Sequence, residues 1–532
     1  MNGYGAQQAG FKLERLFSFW GRVRFLLVSG VILTAVLWFT TTSPTAYTAT
    51  SGNGPGGVGM TDGSSTLELW LRADKGVFAD GGCNTAVTDG NSVGCWQDQS
   101  GNGVSATQAT GAQQPTFNTG VLNNQPVLFF DGADYDNLVS GSISLDHFTI
   151  FSVINSTGTN GFVYEQGAST DDYNGNNLYS GTECSAYVKR GETTSGLSFG
   201  TSWITSTHAF VVDSYGGSHS SHTASKNDVS ISTSCTYGDN DPVNPMSPLD
   251  VNNVVYIGAR AGVDYPSTVA YPFAGNVAEL IFYSEQLPDV QRILVENYLS
   301  AKYDIVFGAL GTNDHYDGDE FEKGDFDLDV AGIGKFGGVL HNEAHSAGMI
   351  VTNAGFLQDN GDWLLFGHNV SINGNTAGGL PSTPTWTNAP YKARWTRSWY
   401  IDVTDVPTHT NGLVTVTFDF NEAGMGNFTP ANNPNDYRLL KRSASSGDFD
   451  LDIATASSVD VTNKRVTFAN VSVADLGSNF TLGTLNNNNS PTAVFLEPVT
   501  ITSQPGGLMV IAACLLTLGV GSVWICVRHR PE

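Results

Sequence analysis

Two short patterns in this chain place imidazole or carboxyl groups at spacings that chemistry uses. One is His341-Asn-Glu343-Ala-His345. Zinc proteases hold two histidines on one helical face with a glutamate beside the metal, in the order H-E-x-x-H, and that order is absent here. Gly337, Gly338 and Gly348 flank the pair, so a helix is disfavoured and a solvated loop is expected. The other is GDFDLD, at 324–329 and again at 447–452. On a strand, Asp325, Asp327 and Asp329 would share one face while Phe326 and Leu328 fill the core; Asp448, Asp450, Asp452, Phe449 and Leu451 would repeat the arrangement. Retaining glycoside hydrolysis needs two carboxyls about 5 Å apart over a sugar cleft, which short, duplicated aspartates suit poorly. A solvated edge or a calcium site is the expectation. The first copy does not continue as an EF-hand, because its sixth and twelfth positions are Val330 and Phe336.

No Ser-His-Asp order, phosphate loop or convincing carboxylate pair is present, so catalysis is not expected. The chain has 532 residues, with 24 Lys and Arg against 50 Asp and Glu, a formal charge of −26. Basic residues gather at both ends (Lys12, Arg15, Arg22, Arg24; Arg528, Arg530), which leaves the middle more acidic still. Such a surface repels nucleic acid and anionic membrane. Of six cysteines, Cys514 and Cys526 lie in a C-terminal apolar run, leaving Cys83, Cys95, Cys184 and Cys235. An even number in an exported region suggests two disulfides. Three pairings are possible; Cys83–Cys95 with Cys184–Cys235 is preferred because each would staple one long polar loop.

The elements that must position these groups are strands. Leu67, Leu69, Leu71 and Ala73 alternate with Glu68, Trp70 and Arg72, and Val414, Val416, Phe418 and Phe420 alternate with Thr415, Thr417 and Asp419. The segment 147–154 is apolar on both faces, as in a central strand; 208–215 and 253–260 supply further strands. One helix is expected to open at Pro288, with Val290, Leu294, Tyr298 and Lys302 on one stripe packing back on the first sandwich. The fold class is therefore all-β, two jelly-roll-like β-sandwich domains, with an N-terminal signal segment and a C-terminal transmembrane helix.

In order, LWLRADKGV, WQDQSGNG, QQPTF and VLFFDGADYDNL resemble the opening of laminin-G-like or concanavalin-A-like lectin domains of bacterial surface proteins. The stretch from Ala278 to Ile305 is similar to the closing segment of the same group. DVAGIG, LLFGHN and RWTRSWYIDVTD resemble an uncharacterised β-sandwich module that often follows such domains. The resemblance implies a glycan or glycoprotein ligand at the loop rim of the first sandwich. It also puts Asp98, Asp131, Asp134 and Asp136 near rim turns, where calcium would neutralise crowded carboxylates and present a ligand site; Asp171 and Asp172 lie in similar turns. The competing reason for these residues is turn geometry.

The organisation expected is a signal peptide or signal anchor at 1–50, the lectin-like sandwich at 66–306, an acidic connector at 307–324 and the second sandwich at 325–484. A stalk at 485–506, a transmembrane helix at 507–527 and a cytoplasmic tail at 528–532 follow. The apolar run Phe25–Phe39 and the charge-free run Gly507–Val527, followed by Arg528, carry the two end assignments. Together they imply a membrane-anchored cell-surface protein with its bulk outside, binding glycan or mediating adhesion. The alternatives are a carbohydrate-active enzyme, hydrolase or lyase, on the sandwich fold, or a purely structural stalk.

Overall fold

The computed structural model describes residues 51–485, apart from 146, 159–160, 168–174, 181–185, 191–192, 198–206, 215–221, 232–233, 236–250, 262–268, 309–312, 377–390 and 407–411. The signal, stalk and membrane-span assignments lie outside these residues. Among the described residues no helix is long and apolar enough to cross a membrane.

The architecture is strand-dominated throughout, with four large sheets and a two-stranded ribbon. In the first sandwich, Ala274–Tyr283 is the axial strand. It pairs along one edge with Phe148–Ser156 and on the other first with Gln125–Asp131, then with Leu67–Arg72. Phe148–Ser156 is buried almost throughout, as its two apolar faces require. A ten-stranded sheet, centred on Val251–Ile257 and Leu138–Leu145, covers the other side. Trp96, Phe130, Phe148, Tyr164 and Phe282 fill the space between. Cys83 and Cys95 form a disulfide with their Cα atoms 5.4 Å apart. Cys184 lies outside the described residues.

In the second sandwich a nine-stranded sheet containing Leu328–Phe336, Trp363–His368, Trp399–Thr404 and Ser478–Thr484 packs on a five-stranded sheet built on Met349–Asn353 and Leu413–Asp419. Trp395, Trp399, Phe418 and Phe468 are the centre of its core.

The helix, Asp289–Tyr303, departs from its expected place. Pro288 precedes it, and it ends at Asp304, whose left-handed backbone (φ 53°) donates to the Ser300 carbonyl. Its expected stripe is buried, but so are Gln291, Glu296, Asn297 and Ser300 on its other faces. A helix with no solvated face is enclosed on all sides. It does not merely pack back on the first sandwich: Leu294, Tyr298 and Leu299 share one apolar cluster with Phe151 and Tyr283 of the first and Val330, Trp363 and Leu365 of the second.

Two segments outside the expected sandwiches are part of this joint. The glycine-rich stretch Ser51–Met60 lies between the sandwiches, with Gly56 bridging to Ala331 and Gly52 to Ala344. A Cβ on Gly56 would come within 2.6 Å of the Leu294 backbone, and its φ of +69° also favours glycine. The acidic connector buries Phe307 and Tyr316, and His315 stacks on Trp363 at 4.7 Å.

Candidate functional site

Beside the apolar joint an open cleft of about 770 Å³ separates the sandwiches. The first supplies Trp70, Arg72, Lys75, Gln97 and Gln99; the second supplies Asp329, His345, His368, Ser371, Asn373 and Arg397; Asn53 comes from the glycine-rich segment and Thr61 from just after it. The site therefore exists only because two separately built sandwiches meet.

The wall on the first sandwich is backed by a buried ion network. Glu279 and Lys302 are each 1% exposed and pair at 2.8 Å. Glu279 also accepts from the Trp70 indole N–H (2.6 Å) and from the hydroxyls of Tyr298 (2.9 Å) and Tyr303 (2.7 Å). Lys302 reaches Asp74 at 2.8 Å, and Asp74 in turn pairs with Arg72. The second arm of Arg72 crosses to Asp329 of the other sandwich at 2.7 Å, and the remaining Asp329 oxygen meets His368 Nε2 at 3.1 Å. Ions taken out of water persist where each finds partners, and this chain of contacts supplies them without interruption.

The protonation states follow from these partners. Burial works against the charge on Asp74, yet Arg72 and Lys302 hold its carboxyl well below the usual range. Asp329 behaves likewise: burial opposes ionisation, and Arg72 with His368 more than offsets it. For Arg72, burial is outweighed by Asp74 and its neighbours, which raise its pKa further. Desolvation pulls His368 below the ordinary imidazole value. His345 goes the other way. Desolvation disfavours its charge, but hydrogen bonds to Glu343 (3.4 Å) and Glu422 (2.8 Å) push it up to about 9.

All four carboxylates lining the cleft, Asp74, Asp98, Asp329 and Glu422, are engaged by cations or by backbone N–H groups.

The residues singled out in the sequence fall into separate places. Asp98 lines the cleft, where its carboxylate accepts from the backbone N–H groups of Trp70 (3.0 Å), Ser100 (2.9 Å) and Val104 (3.2 Å). Asp131, Asp134 and Asp136 share a different turn, away from the cleft lining. Asp131 accepts from the N–H groups of Ala133 and Asp134, and Asp136 from that of Asp131. Burial pushes the Asp136 carboxyl up to about 6. Among the described residues no group of three or more His, Cys, Asp or Glu is arranged to hold a metal ion. Asp171 and Asp172 lie outside the described residues.

His341 and His345 are not in a solvated loop. They sit on the strands Val339–His341 and Glu343–Ser346, both buried. His341 faces the Gly57 carbonyl at 3.0 Å, and burial lowers its pKa to about 4. The two GDFDLD copies also depart from a regular strand. Asp325 and Asp329 have positive φ, and the strands begin only at Leu328 and Leu451. Phe326 and Phe449 are in the core as expected, whereas Leu328 is half-buried and Leu451 exposed.

The chain matches no family model and no curated protein. Among solved structures it is similar to domain 4 of an extracellular GH43 arabinanase from Geobacillus stearothermophilus in complex with arabinotriose (14% identity, TM-score 0.27, 42% of this chain and 95% of that one). It is also similar to the CBM40 of the Ruminococcus gnavus IT-sialidase bound to α2,6 sialyllactose (17%, 0.22, 29% and 84%). A third similarity is to a protein of botulinum neurotoxin type C, whose cell entry depends on two ganglioside molecules (10%, 0.30, 80% and 95%).

Proposed function

We propose that this chain is an exported, membrane-anchored surface protein that binds glycan or glycoprotein ligands in the cleft between its sandwiches and does not turn them over. The observation that carries the binding site is the cleft: large enough for a ligand, open, and walled by amide, hydroxyl and charged groups. Hydroxyl-rich ligands need closely spaced donors and acceptors. The Gln97 side chain faces no partner among the described residues, and the Asn373 amide nitrogen is buried without one. This reading moves the site from the rim of the first sandwich to the junction. Export and anchoring are supported by the apolar runs Phe25–Phe39 and Gly507–Val527 with their basic flanks. Calcium at Asp131, Asp134 and Asp136 is a separate proposal that rests on the sequence resemblance, since their carboxylates are not arranged as a metal site.

A glycan array probed with the full chain, with and without EDTA, tests the reading. Gln97→Trp and Ser371→Trp would fill the cleft from opposite walls, and neither side chain has a bond to lose. Retention of saccharides by the parent chain and its loss in both variants is expected. Retention unchanged in both would place the site elsewhere, and no retention under any condition would favour the structural stalk. Loss in EDTA alone would assign calcium a role.

A further inference from the structure

Asp74, Asp329 and Glu422 each meet a cationic or imidazole partner in the cleft, with only one Glu422 oxygen left over, whereas two of its cations meet no carboxylate at contact distance. Arg397 is 4% exposed and meets no carboxylate; its guanidinium donates only to the backbone carbonyls of Val370, Ala347 and Ser371. Lys75, at the opposite wall, has no ion pair and no side-chain hydrogen bond among the described residues. It stands three residues from Arg72, whose charge is already shared between Asp74 and Asp329. In a chain with twice as many acidic as basic residues, two cations with no carboxylate in contact in one recess are against the trend; Asp329 attracts both only from a distance, and it is already shared by Arg72 and His368. Elsewhere the described buried cations have carboxylates, as Lys302 and Arg72 do.

We infer that the cleft takes an acidic saccharide, one whose carboxylate or sulfate group completes the pairing of Lys75 and Arg397. This rests on the glycan-binding reading above and narrows its ligand class. An anionic group between the two walls would form charge-assisted hydrogen bonds, stronger than the neutral contacts a plain sugar offers. Burial already presses on Arg397, lowering its pKa to about 10 against the attraction of Asp329; Lys75 is held below its ordinary value first by desolvation and then by the Arg72 charge, which Asp329 and Asp74 only partly offset. A ligand anion would relieve both. The charge of −26 on the whole chain opposes a polyanion at long range, but at physiological salt that field is screened beyond roughly 8 Å, so groups in contact decide. A carboxylate and a sulfate ester share the chemistry that these cations recognise, and the probes below separate them.

The test uses the full chain in 0.15 M salt as a working condition of about physiological strength. Binding is measured to polygalacturonate and to its methyl ester, which share a backbone and differ in charge, and to dextran sulfate beside dextran. The acid or sulfate form is expected to bind about 10-fold or more tightly than its neutral counterpart. Lys75→Glu should remove that preference, while Lys335→Gln, on a hairpin outside the cleft, should leave it. Equal binding of charged and neutral forms would overturn the inference and leave glycan binding standing. A preference that survives Lys75→Glu would overturn the placement in the cleft. Binding of none of the four polymers would count against both readings.

Discussion

The two sides of the sandwich junction are built from similar residues and end in opposite states. On the closed side the helix, the glycine-rich segment and the Glu279–Lys302 pair fill the joint, and each ion has an oppositely charged partner. On the open side Lys75 and Arg397 touch no carboxylate among the described residues, and the Gln97 and Asn373 amides face a cleft. Arg397 is a buried ion whose charge only carbonyl groups meet, a costly state that a structure retains where something outside the fold completes it, whereas Lys75 stands exposed at the mouth of the same cleft. The closed side therefore sets the geometry, and the open side is left for a ligand.

Breaking the closed side should cost the most. Lys302→Met leaves Glu279 and Asp74 without their shared cation, and a loss of about 3–5 kcal/mol in urea unfolding is expected. A smaller effect should follow from pH at His345. Its folded pKa of about 9 lies above its ordinary 6.5, so its stabilisation is complete below pH 6.5 and is lost as pH rises through 9. Because Glu343 is partly solvated, we expect a decline of about 2–3 kcal/mol across that window, absent in His345→Gln. Melting curves from pH 6 to 10 check this. Next, Gly56→Ala should destabilise by about 1–3 kcal/mol, since its Cβ would strike the Leu294 backbone. On the open side, Lys75→Gln should change stability by no more than about 0.5 kcal/mol. A large loss there would erase the distinction between the two sides.

Much of the fold was legible because strand alternation and a proline at a helix start are local signals. Leu67–Arg72, Phe148–Ser156, Leu413–Asp419 and the start of the helix all lie where their residues imply. The near-sequence disulfide was legible for the same reason. The cleft was not, because Arg72 and Asp329 are 257 residues apart and neither motif nor spacing joins them. A signal was nonetheless present in the helix: Gln291, Glu296, Asn297 and Lys302 are spread around it, yet it carries apolar residues on every face, which fits enclosure better than a one-sided packing. The glycine-rich stretch ahead of the first sandwich was given no place in the fold. Here Gly56 and Gly57 are required by close approach to Leu294 and Ala344, which only the tertiary structure shows. The paired GDFDLD motifs teach the same lesson. Each phenylalanine reaches a core, but Asp329 crosses to Arg72 while Asp452 pairs with Arg438 in its own sandwich.

The most direct measurement of the central claim compares ligand affinity after lesions on opposite walls of the cleft with lesions at the rim. The full chain, its Gln97→Trp and Ser371→Trp variants, and an Asp131→Ala, Asp134→Ala double variant would be titrated with the tightest-binding saccharide from the array. Binding through the junction predicts at least about a 10-fold loss in each tryptophan variant and an unchanged affinity in the rim variant. Loss in the rim variant with the tryptophan variants unaffected would contradict it and return the site to the first sandwich alone.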